Sequence, residues 1–206
     1  MANPRLLPAV FLTAGNGSSG YGLPMSLFAW AVEVAEAKLS DALPRRWAHA
    51  QGAAQRTWSL HHVATADADL LEAAAILHDV GYAPDIAHTG FHPLDGARFL
   101  EEIDAPSRLV HLVAHHSYAA LEAELRGWSE ELSAYEDERG SIRDALWYCD
   151  LTTTPDGQPI DARERIAEIK QRYGPDHLVT AFITSAAPEL LAAVDRTQRR
   201  SDALVG

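Results

Sequence analysis

The stretch AAAILHDVGYAPD, residues 73 to 85, runs an apolar segment into His78 and Asp79, with Gly81 just behind them. A hydrophobic helix that finishes in an imidazole beside a carboxylate has two readings. One is punctuation, a polar helix end followed by a glycine stop. The other is a metal site, because neutral imidazole nitrogen and carboxylate oxygen are donors that a borderline divalent ion takes. Leu71, Ala74 and Ala75 already furnish a core face, so the pair is surplus to packing. The choice rests on whether the rest of the chain supplies further ligands.

Outward from this stretch the pattern is helical nearly throughout. Ser26 is placed to cap a helix reaching about Leu39, with Leu27, Trp30, Ala31 and Val34 on one face. Pro44 opens a second through Trp47, His49 and Gln51 toward Leu60. The helix carrying the opening pair covers about Asp69 to Asp79. Pro93 starts a fourth, PLDGARFLEEI, with Asp95 favourably placed in its first turn. Pro106 starts a fifth, SRLVHLVAHHSYAALEAEL, expected to bend or break near Ser117. Residues 141 to 152, SIRDALWYCDLT, read as a sixth, stopped by the turn signal TPDG. DARERIAEIKQRYG and the segments after Pro175 and Pro188 read as separate terminal helices. No strand-like alternation persists and no repeat is present, so an all-α fold follows. Residues 26 to 206 are expected to form one domain behind a flexible tail at 1 to 25, and 127 to 140 to be a linker or a mobile excursion.

The bulk composition narrows the function classes. With 206 residues and 47% hydrophobic content the chain can build a real core. A formal net charge of −12 argues against nucleic-acid binding, which needs clustered Lys and Arg to displace counterions. An anionic substrate stays compatible where a local cation or metal overrides that field. Cys149 is the single cysteine, so an internal disulfide is excluded, and that usage suits a reducing cytoplasm. The apolar patch LPAVFLTA is short for a signal peptide, and no run of 18 apolar residues marks a membrane span. A cytoplasmic location without membrane attachment is expected, with a homodimer as the default assembly.

Ten histidines occur, and local context sorts them. His49 lies on the second helix, His78 and Asp79 at the end of the third, and His92 just before the fourth. His115 and His116 sit in the apolar LVHLVAHHS, and Asp150 follows LWYC, where an unpaired buried carboxylate would be costly. They come from five different helices, so one metal centre would satisfy several buried polar groups at once. Adjacent helical residues point about 100° apart, so His115 and His116 rarely serve one ion together. His61, His62 and His177 fall in expected surface turns, His88 and His111 read as structural, and Arg199-Arg200 as a solvated tail pair.

These blocks in this order resemble the HD-domain superfamily of metal-dependent phosphohydrolases: R-x-x-H at 46 to 49, HDVG at 78 to 81, HPLDGA at 92 to 97, AHHS at 114 to 117 and CD at 149 to 150. The resemblance implies a helical bundle with the metal between helices. In the mononuclear form the ligands would be His49, His78, Asp79 and Asp150. In the dinuclear form Asp79 bridges two ions and His92 and His115 complete the second, leaving His116 to substrate or to a supporting contact. HPLDGA is similar to the dinuclear branches, so two divalent ions are favoured, with Fe, Mn, Zn, Co, Ni and Mg undistinguished. Tyr82 stands where HD-GYP proteins carry lysine, and no GYP signature is present, which argues against cyclic di-GMP as substrate. The acidic pair of guanosine tetraphosphate hydrolases is missing too.

The resemblance thus implies hydrolysis of a small anionic phosphorylated substrate, a phosphoester or phosphoanhydride of nucleotide-like kind. Asp79 is the candidate to hold or deprotonate the attacking water, Arg46 to reach a phosphate bidentately, and His116 to protonate the leaving group. Two alternatives stand beside it. A mixed-valent di-iron oxygenase cleaving a C–P or C–C bond would use nearly the same ligands, and a non-catalytic sensor would keep the metal as a staple.

Overall fold

The structure, a computed structural model, describes residues 25–205. The expected tail falls outside them except for Met25. Within them the architecture is all-α, and the one β feature is an isolated antiparallel bridge between Thr153 and Pro159.

Helix α1 (Leu27–Leu39) starts at a doubly satisfied end. Ser26 Oγ accepts from the Ala29 amide, as its position predicts, and Asp69 accepts from the Leu27 and Phe28 amides at 2.9 and 3.0 Å. That carboxylate belongs to α4 (Ala68–Leu77), so one residue ties two helices. Helix α2 (Pro44–Thr57) has proline in its first turn and buries a face of His49, Ala50, Gly52, Ala53, Ala54 and Thr57. Such small residues let it lie close against α4, itself buried from Ala73 through Leu77. Between α2 and α4 lies the single turn α3 (His61–Ala64) with flanking 3₁₀ turns.

Helices α5 (His92–Glu102) and α6 (Ser107–Ala114) pack as a pair. The expected break near Ser117 is present: α6 ends at Ala114, a 3₁₀ turn covers His116–Tyr118, and α7 (Ala119–Arg126) resumes. Ser117 and Tyr118 there have φ of 48° and 61°, left-handed backbone that costs non-glycine residues energy and often attends functional sites. The stretch at 127 to 140 holds the short helix α8 (Ser129–Leu132), and Leu132 and Tyr135 in it are buried. It is docked rather than a free linker.

Helix α9 (Ser141–Leu151) joins the two apolar clusters of the molecule. The larger draws on α1 to α9; the smaller combines Trp147 and Leu151 of α9 with α10 (Ala162–Tyr173) and α11 (Leu178–Val205). Separate helices after Pro175 and Pro188 were expected, yet α11 runs unbroken through Pro188. An interior proline costs roughly 3 kcal/mol. Against that stands one continuous buried stripe, Phe182, Ile183, Ala186, Leu190, Ala193 and Val194, which a break would split. Arg196 and Arg200 bond Asp144 at 2.8 to 2.9 Å, so Arg200 clamps α11 to α9 instead of being solvated. By length and composition Leu178–Leu204 would suit a membrane span, although its apolar stripe is spent on α9 and α10.

Two glycines set close approaches beneath the site. A Cβ on Gly81 would lie 2.0 Å from the His92 carbonyl oxygen and 2.6 Å from the Gly96 nitrogen. One on Gly52 would lie 2.4 Å from the Gly157 carbonyl oxygen, where the loop after α9 crosses α2. Both contacts are with backbone and cannot be relieved by a rotamer change. Gly81→Ala should therefore push the start of α5 off the end of α4 and cost about 1–3 kcal/mol, the usual range for overpacking. Chemical denaturation would check this; an unchanged midpoint would contradict the packing described.

Candidate metal centre

Three histidines are fixed the same way. His78 Nδ1 lies 2.8 Å from the Ala75 carbonyl, His116 Nδ1 2.6 Å from that of Val113, and His49 Nδ1 3.0 Å from that of Thr154. A carbonyl only accepts, so each Nδ1 carries a proton, and in the neutral ring the lone pair is left to Nε2. This is the tautomer that metal-ligating histidines adopt when a backbone oxygen orients them.

The Nε2 atoms converge. His49 Nε2 is 2.9 Å from Asp150 Oδ1, and His78 Nε2 is 3.6 Å from both Asp79 Oδ2 and Asp150 Oδ1. His92 Nε2 is 3.4 Å from Asp79 Oδ1 and 2.9 Å from His116 Nε2. His78 Nε2 is fully buried and has no hydrogen-bond partner among the described residues. An orphaned buried nitrogen costs about 1–3 kcal/mol, and here it points at two carboxylate oxygens that cannot donate to it. A cation fits that donor set and relieves the orphan.

Two groups of possible ligands follow, each with its donor atoms within 4.8 Å of one another: His49, His78 and Asp79, and Asp79, His92 and His116. Asp79 belongs to both, its Oδ2 facing His49 and His78 and its Oδ1 facing His92. Asp150 joins the first through His49 and His78, and Ser117 donates its hydroxyl to the other oxygen of Asp150.

The pair of histidines after Ala114 stands in the reverse of the expected register. His115 Nε2 bonds the Tyr135 carbonyl at 2.8 Å, away from the cluster, and His116 occupies the position expected of His115. The reason is the early end of α6: His115 is its C-cap with φ −109°, so helical spacing no longer governs the next residue. Trp147 Nε1 donating to the His115 carbonyl at 2.9 Å holds the break. Burial first, and then the neighbouring His78, push His116 down to about 4, and its Nδ1 proton lies on the Val113 carbonyl.

Arg46 meets Asp79 Oδ2 at 2.7 Å and lies 3.8 Å above the ring of Tyr82, which stacks on His92 at 4.0 Å. Burial opposes charge on Asp79, yet Arg46 and then His78, His92 and His49 hold it well below the usual carboxylate range. Asp150 is lowered against burial by His78 and His49. Burial and then His116 keep His92 low; its place at the positive end of α5 agrees with that. Burial also opposes charge on His49, but its bond to Asp150, the charges of Asp150 and Asp79 and the Thr154 carbonyl together outweigh burial and raise it.

The family model for the HD domain matches residues 45–173, more than half of the chain. The chain belongs to the HD-domain family. No curated protein and no solved structure gives a match. The HD-domain family binds divalent metals and comprises metal-dependent phosphohydrolases in general, in agreement with the donor set of this HD domain. Both α1 and the whole of α11 lie outside the matched residues.

The cluster opens on a cavity of about 290 Å³ whose far walls come from α7, α10 and α11. Glu122, Arg126, Arg165, Arg172 and His177 line it. None was singled out from sequence except His177, which was assigned no role. The spacing of 165, 169 and 172 marks one face of α10, but nothing in the sequence says what that face covers.

Stability against pH should report this cluster in chelator-treated protein. His92 and His116 are lowered, so each contribution is complete above about pH 6.5 and falls by about 1.4 kcal/mol per pH unit as pH drops toward the folded value. His49 is raised, so its contribution is complete below about pH 6.5 and is lost as pH rises through its folded value. Denaturant unfolding should therefore give greatest stability near pH 6.5 with a steep acid limb. A profile flat from pH 5 to 7 would contradict burial of these imidazoles.

Proposed function

We propose that this HD domain is a metal-dependent phosphohydrolase acting on a small phosphoester or phosphoanhydride of nucleotide-like kind. What carries the reading is the bare, buried Nε2 of His78, aimed with the lone pairs of His49 and His116 at the carboxylates of Asp79 and Asp150. His49, His78, Asp79 and Asp150 would hold one divalent ion, and Asp79, His92 and His116 a second. Such ions supply Lewis acidity toward phosphoryl oxygens and lower the pKa of a water to near neutrality.

The chain's own residues supply the rest. Asp79, kept ionised by Arg46, can accept a proton or hold a water while presenting an oxygen to each group. Ser117 steadies Asp150 through its hydroxyl. Arg46 faces the cavity with one nitrogen committed to Asp79, and its charge favours an incoming phosphate. The apolar residues Phe182, Ile183 and Leu190 of α11 line the cavity and suit a ligand with an apolar body. The expected location is the cytoplasm.

A mixed-valent di-iron oxygenase is the second reading, favoured by Tyr82 stacked on His92 where a phosphohydrolase lysine would stand. Iron in the purified protein, with O₂ consumption on a phosphonate or polyol, would replace the hydrolase reading. Phosphate release supported by Mn²⁺ would retain it.

Elemental analysis separates the ligands. Wild type purified without chelator should carry about two equivalents of metal, and Asp79→Asn should lose both metal and turnover by at least a hundredfold. His116→Ala should lose about one equivalent. His115→Ala should keep its metal and lose only stability, about 1–3 kcal/mol for the unpaired Tyr135 carbonyl. Full metal and activity in Asp79→Asn would overturn the site.

A further inference from the structure

The charge distribution around the cavity is uneven in one place. Arg46 has Asp79 as its carboxylate, Arg126 has Glu122 at 2.7 Å, and Arg45 has Asp156 at 2.8 Å. Arg165 and Arg172 divide one carboxylate, that of Glu168, and no other ion-pair partner meets either among the described residues. Arg165 is only 6% exposed, so its charge is largely removed from water with half a counter-charge. An incompletely neutralised buried guanidinium is costly, and a ligand anion would relieve it.

Both arginines point one way. They stand seven residues apart on α10, two helical turns, with Ile169 between them, and all three line the cavity. Arg165 and Arg172 also line a smaller void of about 80 Å³ with Arg45, Arg46, His49 and Pro155. That void carries four arginines and one ligand histidine and no carboxylate, in a chain of net charge −12. Across the main cavity, Phe182, Ile183 and Leu190 of α11 offer an apolar wall.

We propose that Arg165 and Arg172 form a second anion subsite, so that the substrate is a nucleotide-like molecule with two separate anionic groups. One phosphoryl group sits at the His/Asp cluster, the second on the α10 arginines, and the apolar body lies against α11. From the hydrolase reading the proposal takes only that an anionic end of the ligand sits at the cluster. The α10 subsite selects doubly phosphorylated ligands over monophosphates, because a fork-shaped guanidinium pairs with phosphate oxygens bidentately.

Calorimetric titration of the full chain loaded with Mn²⁺ tests this with three probes: AMP, ADP and adenosine 3′,5′-bisphosphate. At least one doubly phosphorylated probe should bind ten times or more tighter than AMP. In the double variant Arg165→Gln/Arg172→Gln the three affinities should fall within about threefold of one another, with manganese content unchanged. A tenfold preference that survives the double variant, or no preference in wild type, would overturn the subsite. Should the buried Arg165 change prevent folding, Arg172→Gln alone, at a more exposed position, should reduce the preference at least threefold, and an unreduced preference would overturn it equally. Binding is read apart from turnover. A preference that depends on the arginines, in a protein that hydrolyses nothing, would remove the hydrolase reading and leave the subsite standing.

Discussion

Everything in this molecule is arranged around imidazole lone pairs that have been denied water. His49, His78 and His116 each spend their one proton on a backbone carbonyl, of Thr154, Ala75 and Val113 respectively, and their remaining nitrogens face two carboxylates. Without a cation that arrangement leaves His78 Nε2 unpartnered in the interior. The helix dipoles make matters worse. Asp79 follows the C-terminus of α4 and Asp150 lies in the last turn of α9, the negative ends of both helices. A positive ion between them reverses the sign of each of these costs.

The surrounding helices end where the cluster needs them to end. Helix α4 stops at Leu77, so His78 and Asp79 turn inward over the 3₁₀ turn at Val80–Tyr82, whose Gly81 admits the start of α5. Helix α6 stops at Ala114, and the left-handed residues Ser117 and Tyr118 redirect the chain so that His116 and Ser117 both reach the cluster. The loop after α9 folds back over Gly52 and delivers the Thr154 carbonyl to His49. The left-handed backbone at Ser117 and Tyr118 and the close contacts of Gly81 and Gly52 lie at the site, above the large apolar cluster.

The second apolar cluster has a different task. Joined to the first by α9, it holds α10 and α11 across the opening of the site, and with them a set of arginines and an apolar wall. The acidic character of the whole chain and the arginine-lined void beside the cavity are compatible, because interactions between exposed charges are screened over about 8–10 Å while those inside a cleft are screened much less. Only the local balance decides what ligand the cleft accepts.

Much of this was legible in the residues themselves. The helical periods, the cap at Ser26, the helix start at Pro44 and the break near Ser117 follow from local chemistry, that is, from side-chain spacing and a fixed proline φ, whereas the expected ligands are read from ordered motif blocks that resemble the HD domain. The choice between His115 and His116 was not legible, because one residue's difference in where α6 ends turns the next imidazole to the other side, and Tyr135 and Trp147 enforce that end from far along the chain. Pro188 misled for the same reason: a stripe packed against α9 and α10 outweighs a local propensity to break. The arginines of α10 carried no local signal at all. A sequence determines which side chains share a helix face and which chemistry they bring. Which faces meet, and so which charges lack a partner, is settled by packing between residues far apart in the chain.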